Sequence, residues 1–245
     1  MGVTHHGRTH RLDLADPTLR EWECTVLAAD PEQGIVLDRS AFYPGGGGQP
    51  PDHGVLLWQG VQTRIVGTRK GDDLYLLPAE GDPLPPAGTA VTGAVEDERR
   101  TLLMRTHSGL HVLCGVVFRD FGALVTGGNM EPGEARMDFN LPEVPPDFKT
   151  RLEALVNQEV VADRQVAVRV LPRDEALALP DIIRTQSNLI PADEQEIRIV
   201  DITGLDVQAD GGTHVASTSQ IGKVQLVKVE SKGKANRRVR IRLAA

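Results

Sequence analysis

The sequence predicts an α+β protein in which a small β-barrel domain at residues 1–96 precedes an antiparallel α+β domain at residues 97–245. Between residues 20 and 96, Gly, Pro and Asp clusters separate short segments that are rich in apolar residues, as turns separate strands. The segments are WECTVLAAD, GIVLD, GVLLWQG, VQTRIVG, DLYLL and AVTGAVE. A series of short strands with no helical pattern between them predicts the barrel.

The second domain opens on a change from strand-like to helical periodicity. Apolar and histidine residues recur every three or four positions through RRTLLMRTHSGLHVLCGVVF, which predicts a helix over 99–118. An amphipathic helix follows Pro146, and RDEALAL predicts a short one. Alternating residues predict five strands: ARMDFNL, RQVAVRVL, EIRIVDI, GKVQLVKVE and RRVRIRL.

Composition limits the class of protein. The 40% hydrophobic and 25% charged content is typical of a folded globular chain, and no apolar run approaches the roughly 20 residues of a membrane span. The two cysteines, Cys24 and Cys114, lie in apolar stretches and form no disulfide framework. With no apolar leader segment, these features predict a cytoplasmic protein without a membrane partner.

Two pairs of residues at a spacing of four are the candidate metal ligands. His107 and His111 project from one face of the predicted helix, one turn apart. Asp210 and His214 flank two glycines, which predict a turn that folds the pair together. Imidazole with one carboxylate suits zinc, with Fe²⁺ and Mn²⁺ as the other candidates. The alternative is that these histidines are hydrogen-bonded core residues.

Cys114 lies on the same helix face but is predicted to be a core residue. Seven helical residues span roughly 10.5 Å, so His107 and Cys114 cannot both bind one ion with bonds of about 2 Å. Ser108 and Gly109 stand between the histidines, where an HExxH metallopeptidase has its glutamate, so that class is disfavoured.

The segment FYPGGGGQPPDHG is a candidate ligand-binding loop. It lacks the Gly-Lys-Ser/Thr of a Walker A motif, which argues against ATP binding. Consecutive glycines allow a backbone to approach a ligand closely, and Gln49 offers a hydrogen-bond donor and an acceptor. The same residues also fit an ordinary turn of a barrel.

The net charge of −7 is unevenly distributed. Eight basic residues and one acidic residue follow Ile221, giving this segment +7 and the rest of the chain −14. A basic hairpin on an acidic body can hold phosphates locally, although a solvated hairpin face has the same composition.

Three segments in this order, FYPGGGGQPPDHG, RTHSGLHVL and DGGTHVASTSQIG, resemble the editing region of alanyl-tRNA synthetase and its free-standing relatives, the AlaX proteins. The chain resembles the medium-length AlaX type over nearly its whole length. The resemblance implies that the second domain is of the threonyl/alanyl-tRNA synthetase second additional domain type. It also implies one Zn²⁺ per chain, bound by His107, His111, Asp210 and His214. Asp210 stands where the family usually has cysteine, and exchanging a soft thiolate for a harder oxygen weakens discrimination for zinc.

The implied activity is hydrolysis of mischarged alanine tRNA, seryl- or glycyl-tRNA(Ala), in trans, which maintains translation fidelity. The resemblance places Gly46, Gly47, Gly48, Gln49 and Thr126 at the substrate, with catalytic roles for Gln49 and Thr126. Thr126 is the candidate contact for the hydroxyl by which serine differs from alanine.

Two alternatives remain open at this point. One is an editing hydrolase for another mischarged tRNA, such as seryl-tRNA(Thr), because the threonyl-tRNA synthetase editing domain shares the histidine pairs. The other is a tRNA-binding module with a structural metal and no hydrolysis.

Overall fold

The structure, a computed structural model, describes residues 5–188, 190–192 and 194–244, which form two compact units. The first unit comprises the residues up to Gly46 and Pro50–Thr101. The second comprises Gly47–Gln49 and the residues from Leu102 onward. The division therefore falls inside the glycine loop and inside the first long helix.

The first unit is built on a closed antiparallel barrel with the strand order β3-β4-β8-β7-β6-β9. A small sheet, β1-β2-β5, and one short helix accompany it. The elements are β1 (His5–His6), β2 (Thr9–Arg11), α1 (Leu12–Ala15), β3 (Glu21–Asp30), β4 (Gly34–Leu37), β5 (Arg39–Ser40), β6 (Gly54–Trp58), β7 (Val61–Lys70), β8 (Leu74–Pro78) and β9 (Ala90–Val95). The predicted barrel and its six strands are confirmed.

In the long strand β7, core-facing residues alternate with exposed residues. In β7, Thr63 and Ile65 are buried while Gln62, Arg64 and Val66 between and beside them are exposed, as the period of two requires. Trp22 packs edge-to-face on Phe42 in the same core.

The second unit contains two antiparallel sheets, β10-β11-β16-β15 and β12-β13-β14, and three α-helices. The elements are α2 (Asp97–Phe121, which begins in the first unit), β10 (Val125–Glu131), β11 (Glu134–Phe139), α3 (Phe148–Val161), β12 (Val166–Pro172), α4 (Arg173–Leu177), β13 (Glu196–Ile202), β14 (Asp206–Ala209), a 3-10 helix (Thr218–Ile221), β15 (Val224–Ser231) and β16 (Arg237–Leu243). The α+β class is confirmed.

Helix α2 lies at the centre of the second unit and extends beyond the predicted range of 99–118 at both ends. Residues 106–117 are all buried, so the helix is covered on every face and not on one stripe only. Cys114 is 1% exposed in this core, where burial raises the pKa of its thiol well above the usual value. The prediction that Cys114 is a core residue is confirmed. In the described part of the chain, no helix has the length and apolar character that a bilayer span requires.

Strands β10 and β14 were not predicted. β10 carries Gly127 and Gly128 where an apolar alternation would mark a strand, and β14 has only four residues. Pairing with β11 and β13, respectively, and not local sequence, holds both in extended form.

Candidate metal centre

The buried helix α2 carries polar side chains into the core of the second unit. His107 and His111 are 4% and 5% exposed, and Ser108 is fully buried. Buried polar groups require hydrogen-bond partners or a bound ion, so the neighbours of these residues define the site.

The four predicted ligands converge. His107, His111, Asp210 and His214 each offer one ligand atom, and these atoms lie within 4.8 Å of one another. The Nε2 atoms of His107 and His111 lie 3.5 and 3.9 Å from Asp210 Oδ1, and His214 Nε2 lies 3.0 Å from Asp210 Oδ2. The two pairs, about 100 positions apart in the sequence, therefore form one cluster.

The donor set fits a divalent ion. Tetrahedral ligands with bonds of about 2 Å lie about 3.3 Å from one another, close to the separations in this cluster. Three imidazoles and one carboxylate supply four positions, and the loop of Gly211 and Gly212, with no regular secondary structure, brings Asp210 and His214 together as predicted.

Each histidine is also held on its other ring nitrogen. His107 Nδ1 lies 2.9 Å from Gln49 Oε1, and His214 Nδ1 lies 3.1 Å from Ser108 Oγ. His111 Nδ1 lies 3.4 Å from Asp206 Oδ2. A partner at Nδ1 orients the ring and leaves Nε2 to face the common point, as at histidine metal ligands generally.

Asp206 belongs to a buried network behind His111. Arg184 Nε donates to Asp206 Oδ1 at 3.1 Å, and Gln208 Nε2 donates to Asp206 Oδ2 at 2.5 Å. The Arg184 guanidinium also stacks on Phe118, 3.8 Å from the ring centroid. This arrangement fixes the carboxylate that faces His111.

The electrostatics of the cluster favour the neutral forms of His107 and His214. Burial lowers the pKa of His107 to about 4 and holds the pKa of His214 well below its usual value. For Asp210, burial acts to raise the pKa, but the histidines outweigh it and the pKa stays well below its usual range. For His111, Asp206 and Asp210 together outweigh burial and raise the pKa. Two neutral rings and a carboxylate near one point form an environment that attracts a cation.

The glycine loop lies beside this cluster. Gly45 to Gly48 all have positive φ, between 59° and 132°, a conformation that side-chain-bearing residues rarely adopt. A Cβ on Gly47 would lie 3.9 Å from Asp210 Oδ1, so the loop backbone runs next to the Asp210 carboxylate. The run of four glycines is thus a backbone requirement of this loop.

Gln49 ends the glycine run and is 2% exposed. Its Oε1 accepts from the Thr213 N–H at 3.1 Å, and its Nε2 donates to Thr213 Oγ1 at 2.9 Å. Gln49 is thereby joined to the loop that carries His214, and whether it also touches substrate stays a prediction.

Thr126 lies on β10, where its Oγ1 donates to Asn236 Oδ1 at 3.2 Å. Further along this strand, the Met130 N–H donates to Gly48 O at 3.1 Å, so β10 contacts the glycine loop. Within the described chain, no side-chain hydrogen bond joins Thr126 to a residue of the four-residue cluster. Its role at the substrate stays a prediction.

The basic C-terminal hairpin is partly neutralised. Arg238, Arg240 and Arg242 form ion pairs at 2.7 Å with Asp138, Glu230 and Glu134, respectively. The exposed lysines have no salt bridge to a described residue, with one exception, Lys228, which pairs with Glu230. In the segment after Ile221, the exposed lysines without such a pair are Lys223, Lys232 and Lys234. Part of the positive charge of this hairpin is therefore available to solvent.

Sequence reasoning missed two residues that contact the histidines at Nδ1, Ser108 and Asp206. Ser108 stands inside the His-x3-His motif, where it was interpreted only as the absence of a glutamate. Asp206 has no local signal because its partners His111 and Arg184 are distant in sequence. Only the tertiary pairing of β14 with β13 places it.

Comparison with known proteins agrees with this architecture. Residues 197–240 match the family described as threonyl and alanyl tRNA synthetase second additional domain. The chain is 36% identical, over 94% of its length and 97% of the relative, to the alanyl-tRNA editing protein AlaX-M of Saccharolobus solfataricus. It is 32% identical, with the same coverage, to AlaX-M of Methanosarcina barkeri. It is 37% identical over 91% of its length to the alanine–tRNA ligase of Pyrobaculum neutrophilum, of which it covers 25%. The chain therefore belongs to the AlaX-M family of alanyl-tRNA editing proteins.

Proposed function

We propose that this protein is a trans-editing hydrolase that deacylates seryl- or glycyl-tRNA(Ala) in a metal-dependent reaction. The observation that carries the proposal is the convergence of three buried imidazoles and one carboxylate on a single point. Membership of the AlaX-M family identifies the substrate class, because the relatives are named as alanyl-tRNA editing proteins.

His107, His111, Asp210 and His214 would hold the metal. When bound, a divalent ion supplies Lewis-acid chemistry, polarising an ester carbonyl and favouring loss of a proton from water. We propose zinc as the ion, with Fe²⁺ and Mn²⁺ as competitors that a carboxylate in place of a thiolate admits more readily.

The chain's own contribution is preorganisation. Gln49, Ser108 and Asp206 each occupy the Nδ1 side of one histidine, which keeps three Nε2 atoms directed inward. Asp210 is held as an anion, and its Oδ2 accepts from the Gly212 N–H at 2.6 Å. That hydrogen bond leaves Oδ1 as the oxygen directed at His107 and His111.

Substrate recognition is assigned to the glycine loop and to β10. Gly46, Gly47 and Gly48 expose a backbone without side chains, and Gly47 runs beside Asp210. A Thr126 contact with a serine hydroxyl would spare the correct alanyl ester, which lacks that group. Exposed lysines of the C-terminal hairpin would hold tRNA phosphates.

The decisive experiment measures deacylation of seryl-, glycyl- and alanyl-tRNA(Ala), and of seryl-tRNA(Thr), by purified protein with its metal content determined on the same sample. We expect hydrolysis of seryl- or glycyl-tRNA(Ala), little of alanyl-tRNA(Ala), and about one ion per chain. His107→Ala should abolish turnover, and His53→Ala, which changes a barrel histidine outside the cluster, should not.

Other outcomes favour the alternatives. If the protein cleaved only seryl-tRNA(Thr), it would be an editing hydrolase for threonine tRNA. The matched domain is also that of threonyl-tRNA synthetase. Salt-dependent tRNA binding without cleavage of any ester would favour the binding-module alternative.

A further inference from the structure

We propose that Gln49 is a positioning residue that fixes the tautomer and orientation of His107, so that His107 presents an Nε2 lone pair to the metal. This inference rests on the proposed metal site, but it concerns a property of the chain that can be measured with or without the ion. It gives Gln49 a role that acts through another residue.

The orientation of the Gln49 amide follows from Thr213. The Thr213 backbone N–H is a donor only, so the amide atom 3.1 Å from it must be the oxygen. The amide nitrogen then faces Thr213 Oγ1 at 2.9 Å, which accepts its hydrogen. Two contacts with one residue thus remove the ambiguity between Oε1 and Nε2 that an isolated amide would have.

The state of His107 follows from the orientation of that amide. Its Nδ1 lies 2.9 Å from Gln49 Oε1, which can only accept. His107 must therefore carry its hydrogen on Nδ1, and in the neutral ring Nε2 then holds a lone pair. That Nε2 is the atom 3.5 Å from Asp210 Oδ1, at the point where the ligand atoms converge.

Packing leaves this pair little freedom. Gln49 and His107 are 2% and 4% exposed, and Thr213 is fully buried. A Cβ on Gly212 would lie 2.2 Å from His107 Cε1 and 2.8 Å from Gln49 Oε1. The backbone of Gly212 therefore packs directly on both side chains and restricts their rotation.

The first test is the tautomer of His107, observed through its ring nitrogens by ¹⁵N-detected correlation NMR on the full chain at about pH 7. In the wild-type protein we expect a protonated Nδ1, both before and after the addition of Zn²⁺. Gln49→Leu should give a mixture of tautomers before the ion is added. A wild-type His107 protonated on Nε2, or an unchanged Gln49→Leu spectrum, would overturn the proposal.

The second test is the affinity for Zn²⁺ alone, measured by competition with a chromophoric chelator. Removing a hydrogen-bond partner of a ligating histidine costs about 10- to 100-fold in metal affinity, which we expect for Gln49→Leu. Gln220→Leu is the matched control, because Gln220 also accepts a backbone N–H, from Ala216, but contacts no cluster histidine in the described chain. Equal losses in the two variants would overturn the proposal.

A second variant, Gln49→Glu, tests the same role of Gln49 if Gln49→Leu does not fold. A carboxylate at this position still accepts from His107 and from the Thr213 N–H, so the Nδ1-protonated tautomer and most of the Zn²⁺ affinity should persist. Loss of both in a folded Gln49→Glu protein would overturn the proposal. A wild-type protein that binds Zn²⁺ but deacylates no ester would overturn the proposed function and leave this inference standing.

Discussion

A buried ion pair of the first unit and the buried histidine cluster of the second differ in how their partners are arranged. In the first unit, Asp52 and Arg100 are both fully buried. Arg100 donates to both Asp52 oxygens and to the backbone oxygens of Pro17 and Ala41. The guanidinium donors of Arg100 all face oxygen acceptors, so the ion pair needs no further ligand or ion.

The cluster of the second unit is arranged in the opposite way. Three imidazole Nε2 atoms and a carboxylate face one another, while the three Nδ1 atoms are directed outward to Gln49, Ser108 and Asp206. Acceptors that converge on one point repel one another unless a cation or protons lie between them. Burial is similar in the two places, and only the arrangement of partners distinguishes a structural ion pair from a candidate metal centre.

The largest expected effect is the loss of stability when the ion pair is broken. Arg100→Leu leaves the Asp52 carboxylate buried without its cation, which we expect to cost about 3–5 kcal/mol in the free energy of unfolding. Denaturant unfolding measures this. Arg99→Leu is the neighbouring control, because Arg99 donates to the Pro51 carbonyl and to no other described residue, so its loss should cost about 1 kcal/mol. If both variants lost the same free energy of unfolding, the buried ion pair would stabilise the protein no more than an ordinary hydrogen bond does.

The second expected effect is stabilisation by Zn²⁺, which should depend on the histidine cluster of the second unit. Saturating Zn²⁺ should stabilise the wild-type protein by about 4 kcal/mol at a free concentration 1,000 times its Kd. The thermal shift between chelator and Zn²⁺ measures this. His107→Ala should show no shift, and His53→Ala should retain it. A shift of wild-type size in His107→Ala would place the bound ion elsewhere.

A smaller effect is expected from one methyl group beside the cluster. Gly212→Ala places a Cβ 2.2 Å from His107, so the ring must move and we expect about a 10- to 100-fold loss of Zn²⁺ affinity. Gly211→Ala is the matched control, since its Cβ would meet no heavy atom within 4 Å. Equal affinities for the two variants, measured by chelator competition, would contradict the close packing described for Gly212.

Asp210 is the residue that we expect to set the metal preference of the cluster. Asp210→Cys restores the softer thiolate, and we expect higher affinity for Zn²⁺ relative to Mn²⁺. Competition between the two ions, followed by metal analysis of the protein, measures this preference. An unchanged ratio would indicate that the ion has only the three histidines as protein ligands.

The smallest expected effect concerns an ion network away from both clusters. Glu159 accepts from Arg119 and Arg164, and although its burial acts to raise the pKa, these arginines outweigh burial and lower it. A lowered pKa in the folded state means that Glu159 stabilises the protein at neutral pH and loses that contribution as the pH falls through the folded pKa. Glu159→Gln should therefore cost about 1 kcal/mol near pH 7 and less near pH 3.

Urea unfolding at the two pH values measures this difference. Glu175→Gln, which changes an exposed glutamate of α4, should show no such dependence on pH. A Glu159→Gln cost that is the same at both pH values would contradict the lowered pKa.

The sequence predicted those parts of the molecule that local periodicity specifies. Turn residues separate the short apolar segments that form the six barrel strands, and His107 and His111 share a helix face at a fixed spacing. Asp210 and His214 were placed in a turn because two glycines separate them. Each of these inferences depended on a continuous stretch of sequence.

The remaining features depend on contacts between distant segments. Gln49 and His107 are 58 positions apart, and no local pattern links an amide in a glycine loop to a helix histidine. Strand β10 escaped prediction because Gly127 and Gly128 carry no side chain to show an alternation. Tertiary pairing supplies the information in both cases.

The central claim, that the buried cluster holds a metal required for editing, is tested most directly by stoichiometric reactivation. Protein stripped of metal by a chelator is titrated with Zn²⁺ while hydrolysis of seryl-tRNA(Ala) or glycyl-tRNA(Ala), whichever the native protein cleaves, is measured. We expect hydrolysis to be absent at the start, to rise linearly, and to reach a plateau at one ion per chain in the wild-type protein, with no recovery in His107→Ala. Full hydrolysis by stripped protein in which no metal is detected would contradict the claim.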